Sequence, residues 1–345
     1  AEQHPDRVDR SMLPITKEDV ITGFVVRHLM FYGFDQVLKE VVGPTRAREV
    51  AKLTADLGLT SIPIGSNAIA VAPPVTDDGA TRLMINSHQP TDGPVAWYEA
   101  HISSDEGLDI MGGTFPGSPL ISLGFNDSIA WGVTVNKPDV VDVYVLEMNP
   151  DNPDQYRLDG EWKNLEKTTV DLAVKILGPL VWTVNRDIYR SEHGPVMKTD
   201  HGVYALRFGG QGEIRQVEQW YAMNRAKNRD QWLDAMRLHR FASFNFVFAD
   251  RDGNTSFIHN SMTPKRKPGY DWQMYLPGDD SSLIWTEYLA FDELPQVHNP
   301  SHGFLTSTNQ TPFAVAHDSD NPNESEYSPP DGYQPRMTNR AVRSL

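Results

Sequence analysis

With 345 residues, 39% of them hydrophobic and 22% charged, the chain has the composition of a globular protein large enough to bury a substantial core. A net charge of -15 argues against nucleic acid as a partner, and the one compact basic run, Lys265-Arg266-Lys267, reads as a solvated loop. The absence of cysteine excludes disulfides and thiolate metal sites, and no apolar run approaches a membrane span.

The chain begins Ala1-Glu2-Gln3, with neither a methionine nor an apolar leader, as expected of a mature or trimmed product. Residues 1–15 read as polar and extended. Thr16-Lys17-Glu18-Asp19 has the form of a helix-start box and leads into an apolar stretch through Met30. Phe34, Val37, Leu38 and Val41 are spaced as one helix face, which Gly43-Pro44 closes. Thr45 opens another helix, with Val50, Leu53 and Leu57 inward and Gly58 ending it; Thr60-Ser61-Ile62-Pro63 is the linker that follows.

Next comes a predicted hairpin. Ala68 to Ala72 and Leu83 to Ile85 are apolar, and Thr76-Asp77-Asp78-Gly79 between them carries turn chemistry. Folding there returns the chain so that His88 lies beside Ser66. Trp97 to His101 alternates as a strand, and Leu120 to Leu123 and Ile129 to Val135 read as further strands. MGGTFPGSP, at 111, is glycine-rich but lacks the Lys-Ser or Lys-Thr of a phosphate loop. Strands recur at Val170 to Leu177 and Val181 to Ile188. Asp230 to Phe241 reads as a helix with Trp232, Met236 and Leu238 inward. Phe244, Phe246 and Phe248 alternate before Asp252-Gly253, a second hairpin signal with Phe257 to His259 returning. Loops dominate 263 to 303 and 318 to 335, and Thr338 onward starts a helix. No internal repeat or separate linker appears, so strands and flanking helices imply one layered domain.

Chemistry concentrates at Gly65-Ser66. A serine hydroxyl needs a base, and an α-amino group titrating near pH 8 is one if Ser66 becomes a chain start. The ordinary alternatives, G-x-S-x-G and S-x-x-K, are absent. By itself Gly-Ser-Asn reads as a turn, and a histidine at a strand end as a surface or satisfied residue.

From here the sequence resembles the penicillin acylase family of N-terminal nucleophile hydrolases, amidases that cut themselves from a precursor to expose a catalytic serine. GSNAIAVAP at 65 is similar to the start of the family's β chain, and NSHQP at 86 to its histidine motif. WYEAH at 97, TFPGSP at 114, GFNDSIAWGVTVNKPDVVD at 124, SEHGPV at 191, FADRDGN at 248, LPG at 276 and GFLTSTNQTP at 303 follow in the family's order. The resemblance implies an α+β fold, the four-layer αββα sandwich, in a partial chain. Residues 1–65 would be the end of the α chain plus a spacer, forming a helical arm, and 66–345 the N-terminal part of the β chain. Most of the family's α chain and the C-terminal half of its β chain have no counterpart here.

The same resemblance implies roles. Ser66 is the nucleophile and its freed amine the base; His88 orients that amine. The Val135 backbone N–H and the Asn309 side chain form the oxyanion hole, and Arg340 supports the site. Gln89, following the histidine where many relatives carry an apolar residue, joins Phe115, Leu123 and Trp131, together with Met84, as candidate substrate contacts. A structural calcium is implied at Asp139, Asp142 and Asp320, with the Val141 carbonyl and Trp272 as further donors. Read without the family, DVVD is a strand end and DSDNPNE, at 318, a polar loop. The expected activity is hydrolysis of a linear acyl amide: a β-lactam side chain, an N-acyl-homoserine lactone or a lipopeptide. Expected partners are that small substrate and an α chain from the same precursor, in a periplasmic or extracellular setting, without nucleic acid, membrane insertion or organic cofactor. The rival reading is a non-catalytic, cation-stabilised binding module that keeps the fold.

Overall fold

The computed structural model describes residues 14–29, 31–44, 65–93, 95–177 and 180–344. The helix expected from Thr45, the linker to Pro63 and most of the extended start lie outside the described residues. Helix α1 (Lys17–Leu29) begins as its sequence box requires: Thr16 N–H donates to Asp19 Oδ2 at 2.8 Å, and Asp19 N–H donates back to Thr16 Oγ1 at 3.2 Å. Helix α2 (Phe34–Val42) ends at Gly43-Pro44 as expected.

The first expected hairpin forms β1 (Ser66–Val71) and β2 (Arg82–Ser87). Then come β3 (Tyr98–Ser103), β4 (Asp109–Thr114), β5 (Leu123–Phe125), β6 (Ile129–Thr134) and β7 (Val141–Val145). A small sheet follows, of β8 (Met148–Asn149), β9 (Asn152–Leu158) and β10 (Glu161–Asn164). A long hairpin, β11 (Glu166–Leu177) and β12 (Leu180–Arg190), leads to β13 (Pro195–Thr199) and β14 (Gly202–Phe208). Helices α3 (Gln216–Arg225) and α4 (Arg229–Arg237) precede β15 (Ser243–Asp250) and β16 (Thr255–Ser261). Last are β17 (Tyr275–Pro277), β18 (Gln296–His298), β19 (Phe304–Ser307) and helix α5 (Asn339–Ser344).

Three sheets matter for the site. One has seven strands in the order β18-β16-β15-β6-β5-β4-β3, one has three in the order β19-β1-β2, and one has six in the order β11-β12-β13-β14-β7-β17. Strand β15 shows how the layers stack. Its Phe244, Phe246 and Phe248 face a core with Trp220, Met223, Trp232 and Met236 of α3 and α4, while Val247 and Ala249 pack on Ala68, Ala70 and Leu305 of the three-stranded sheet. Period-two alternation therefore puts helices on one face of the large sheet and a second sheet on the other, the order of an α+β sandwich. The two sheets approach closely at Gly132, where a Cβ would lie 2.8 Å from Ile85 Cδ1.

Three expectations are corrected. Leu120 to Ser122 is not strand, because the Asn224 side chain binds both backbone groups of Ile121, at 2.9 and 2.8 Å, in place of a neighbouring strand. Helix α4 stops at Arg237, leaving Leu238 exposed and Phe241 in the core instead. Arg266, the middle of the basic run, is buried while its neighbours Lys265 and Lys267 are exposed.

Candidate active site

Ser66 opens β1 and is buried, paired with Ser87 across β2. That register places His88 one step past the pair, where its backbone N–H donates to the Gly65 carbonyl at 2.8 Å. The turn chemistry at 76 to 79 is thus sufficient to bring the two motif residues together, as the sequence implied. Strand β19 flanks β1 on its other edge, with Ala68 opposite Ser307, so the segment that follows β19 arrives beside Ser66.

That segment carries Asn309, held in left-handed backbone at φ 69°. Its Oδ1 accepts from Ser66 N–H at 2.7 Å and from Arg340 Nη2 at 3.0 Å. Its Nδ2 donates to the Val135 carbonyl at 2.7 Å. Arg340 Nη1 donates to the Ser66 carbonyl at 2.9 Å and to Asn67 Oδ1. Ser66, Asn309 and Arg340 thus close a ring of hydrogen bonds, which Val135 joins through its carbonyl and His88 through Asn67, whose Nδ2 lies 3.4 Å from His88 Nε2. Gly65 packs so tightly here that a Cβ would overlap Asn309 Oδ1 and come within 2.6 Å of Arg340 Nη2.

Ser66 also lines an aromatic cavity with Phe24, Phe31, Trp97, Phe115, Trp220 and Phe244. Trp97 stacks on Phe115 at 4.2 Å, and the Arg27 guanidinium lies 5.2 Å from the centre of the same Phe115 ring. His28 sits in this wall against Phe241 and Phe244. Burial pushes its imidazole down to about 4, so it is neutral near pH 7, and the Phe24 carbonyl 2.7 Å from Nδ1 fixes the proton there.

Of the expected substrate contacts, Gln89 and Phe115 line the cavity. Trp131 does not: it is fully buried in the helix-side core and donates from Nε1 to the Ser122 carbonyl at 3.1 Å. Leu123 packs on that same core, and Met84 is exposed. The wall missed by sequence reasoning is α1 and the turn after it: Phe24, Arg27 and His28 recur at helical spacing, and Phe31 follows just past the helix end.

The expected calcium donors do not fit a calcium site. Asp142 is buried and bound on both oxygens by Arg266, Nε to Oδ2 at 3.1 Å and Nη2 to Oδ1 at 2.9 Å, while Trp285 Nε1 donates to Oδ2 at 2.6 Å. Asp139 lies 3.6 Å from Arg266 Nη1. The Trp272 ring sits 5.4 Å from the same guanidinium. Asp320 is engaged elsewhere, by Ser301 Oγ and His302, and among the described residues no group of three or more His, Asp or Glu is placed to hold a metal ion.

A family model described as penicillin amidase matches residues 10–344. The chain belongs to the penicillin amidase family. It is 34% identical over 208 residues to acyl-homoserine lactone acylase PvdQ of Pseudomonas fluorescens (strain Pf0-1), covering 58% of this chain and 27% of that protein. It is 27% identical over 264 residues to penicillin G acylase of Escherichia coli, covering 74% of this chain and 30% of that protein. The thermostable penicillin G acylase of Alcaligenes faecalis matches in structure with a TM-score of 0.63 at 29% identity, over 75% of this chain and 46% of that one. The chain therefore spans less than a third of the length of the first two relatives and about half of the third. No described helix is long and apolar enough to cross a membrane.

Proposed function

We propose that this chain is the serine-bearing part of an amidohydrolase that removes an apolar acyl group from an amine, with Ser66 as an N-terminal nucleophile. The observation that carries the reading is Ser66 itself: its nitrogen rests on Asn309, its carbonyl on Arg340, and its side lines the aromatic cavity. In the maturation step the Ser66 hydroxyl attacks the Gly65 carbonyl carbon, forming a C–O bond and breaking the Gly65–Ser66 C–N bond. The Gly65 oxygen already accepts a hydrogen bond from His88 N–H, a donor for the charge that develops there. The Ser66 nitrogen takes the hydroxyl proton as it leaves and becomes the free amine, and water then opens the ester, releasing the Gly65 carboxylate and restoring the Ser66 hydroxyl.

That amine is the same nitrogen that Asn309 Oδ1 contacts, so the base is oriented before it exists. It takes the Ser66 hydroxyl proton, directly or through water, as the oxygen attacks a substrate amide. Asn309 Nδ2 carries a second hydrogen for the oxyanion, and Val135 supplies its backbone N–H. The departing amine takes the proton back, and water hydrolyses the acyl ester. The substrate class follows from the cavity wall, whose aromatic faces suit aromatic or aliphatic acyl groups. The names of the relatives, an acyl-homoserine lactone acylase and penicillin G acylases, agree with that class. On this reading residues 1–65 end the α chain with its spacer, 66–345 begin the β chain, and the two form a heterodimer outside the cytoplasm.

Ser66→Ala in the full-length protein tests it. Wild type should yield a fragment whose first residue is Ser66, and the variant should remain one chain. Cleavage of the variant at the same bond would remove Ser66 as its own scissors.

A further inference from the structure

The carboxylates of Asp139 and Asp142 pose a problem that the fold must solve at β7. Two acids three residues apart, one of them fully buried, repel each other and resist ionisation unless a positive charge is supplied. Burial pushes the Asp142 carboxyl up, to about 6, against the pull of Arg266.

Arg266 is placed as that charge. Its side chain has no exposed surface, and it grips Asp142 through two hydrogen bonds, the fork geometry in which guanidinium matches carboxylate. Nη1 faces Asp139 and donates to the Pro330 carbonyl at 3.0 Å. The backbone of Asp139 in turn donates to the Gly332 carbonyl at 2.9 Å. Space is closed as well as charge. A Cβ on Gly332 would lie 2.8 Å from Asp139 and 3.1 Å from Arg266 Nη1, so not even a methyl group fits between the turn and the pair. Calcium needs six to eight oxygens around it, and here both Asp142 oxygens are already taken by Arg266 and Trp285.

We propose that the Arg266 guanidinium is a built-in cation, doing at this position what a bound divalent ion would do. It neutralises Asp139 and Asp142 and ties β7 to the turn at 329–332. The tie lies between the two parts of the catalytic ring: β7 follows Val135, and the turn leads into α5 with Arg340. The sequence permits this because Arg266 stands inside a basic run whose outer members stay in water.

Thermal melts of the full-length protein test the idea, and they do not depend on its activity. Wild-type melts with chelator, with millimolar calcium and with millimolar magnesium should superimpose. Arg266→Ala removes the guanidinium that the buried Asp142 carboxylate is paired with and should lower Tm by about 5 °C or more. Adding Asp142→Asn to Arg266→Ala should recover part of that loss, because it removes the charge left without a partner. Arg266→Lys keeps the charge without the fork and should fall between wild type and Arg266→Ala. Should Arg266→Ala not fold, the lysine variant and the chelator melts still decide. A chelator-induced drop that disappears in Asp142→Asn would overturn the proposal, since a cation would then share this site. So would an Arg266→Ala melt equal to wild type, an Arg266→Lys melt no higher than that of Arg266→Ala, or a further loss on adding Asp142→Asn. A chelator effect that survives Asp142→Asn would place the ion elsewhere and leave this pair to Arg266.

Discussion

Gly65→Ala is the smallest change that should separate maturation from turnover. The new Cβ would lie 2.6 Å from Arg340 Nη2, against an ordinary contact of at least 3.4 Å, so the arginine or the strand must yield by about 0.8 Å. Three hydrogen bonds of 2.7 to 3.0 Å hold Ser66, Asn309 and Arg340 together, and a displacement of that size breaks those nearest the new methyl. Losing one neutral bond, worth about 1 kcal/mol, and one charged bond, worth about 2 kcal/mol, amounts to about 3 kcal/mol. If the ring is needed for the cut, processing should slow by roughly a hundredfold. A gel time course of precursor and fragments measures it, with Tm as the control for folding. Residue 65 leaves the nucleophile at the cut, so the mature enzyme obtained by long incubation should turn over at the wild-type rate. Processing within threefold of wild type would refute the tight-packing argument.

Asn309→Ala in the processed enzyme should slow acylation by about a hundredfold or more with little change in ground-state binding, and pre-steady-state kinetics on a chromogenic amide would show it. Among amides that differ only in their acyl group, aromatic and medium-chain aliphatic groups should give the highest kcat/KM; preference for a charged acyl group would contradict the cavity wall of Trp97 and Phe115. Stability should fall in mild acid. Burial holds His28 and His193 at about 4 and His259 at about 3, below the 6.5 of an unfolded histidine, so the unfolded chain binds more protons in this range. Their contribution is complete above pH 6.5 and is lost as pH falls toward 4. Asp142, raised by burial against the pull of Arg266, acts with the opposite sign and offsets part of this, leaving stability that slopes downward as pH falls from 6.5 toward 4. Denaturant titrations at pH 7, 6 and 5 would measure that slope, and equal stabilities would contradict it.

Local chemistry was the legible part of this sequence. The placing of His88 beside Ser66 follows from a turn between two apolar runs within about twenty residues, and the β15–β16 hairpin from alternating phenylalanines before Asp-Gly. Asn309 and Arg340 approach Ser66 from 243 and 274 residues away, and no spacing rule links them; only the family motifs pointed there. Helix α3 was invisible for a different reason. Its inward face includes Gln219 and Asn224, fully buried but bound to the backbone of Arg240 and Ile121, so apolar periodicity is broken where the helix is most buried. Polar side chains that satisfy distant backbone look like surface in one dimension. Arg266 misled in the same way, since a basic run reads as solvated until its buried acids are known.

Why the proposed cut should not undo the site is a matter of how many contacts Ser66 keeps. A new chain end normally frays, because its backbone groups lose their neighbours and exchange with water. Here the pairing of Ser66 with Ser87 and the bonds from Ser66 nitrogen to Asn309 and from Ser66 carbonyl to Arg340 all lie on the Ser66 side of the bond, so the proposed cut should leave them in place. What is lost is the Gly65 side of the bond, whose carbonyl was held by His88 N–H. Once that carbonyl departs, the proposed cut would release the His88 donor while the serine stays fixed at the cavity wall, so it would exchange one acyl group, the chain's own, for room in which a substrate acyl group can sit.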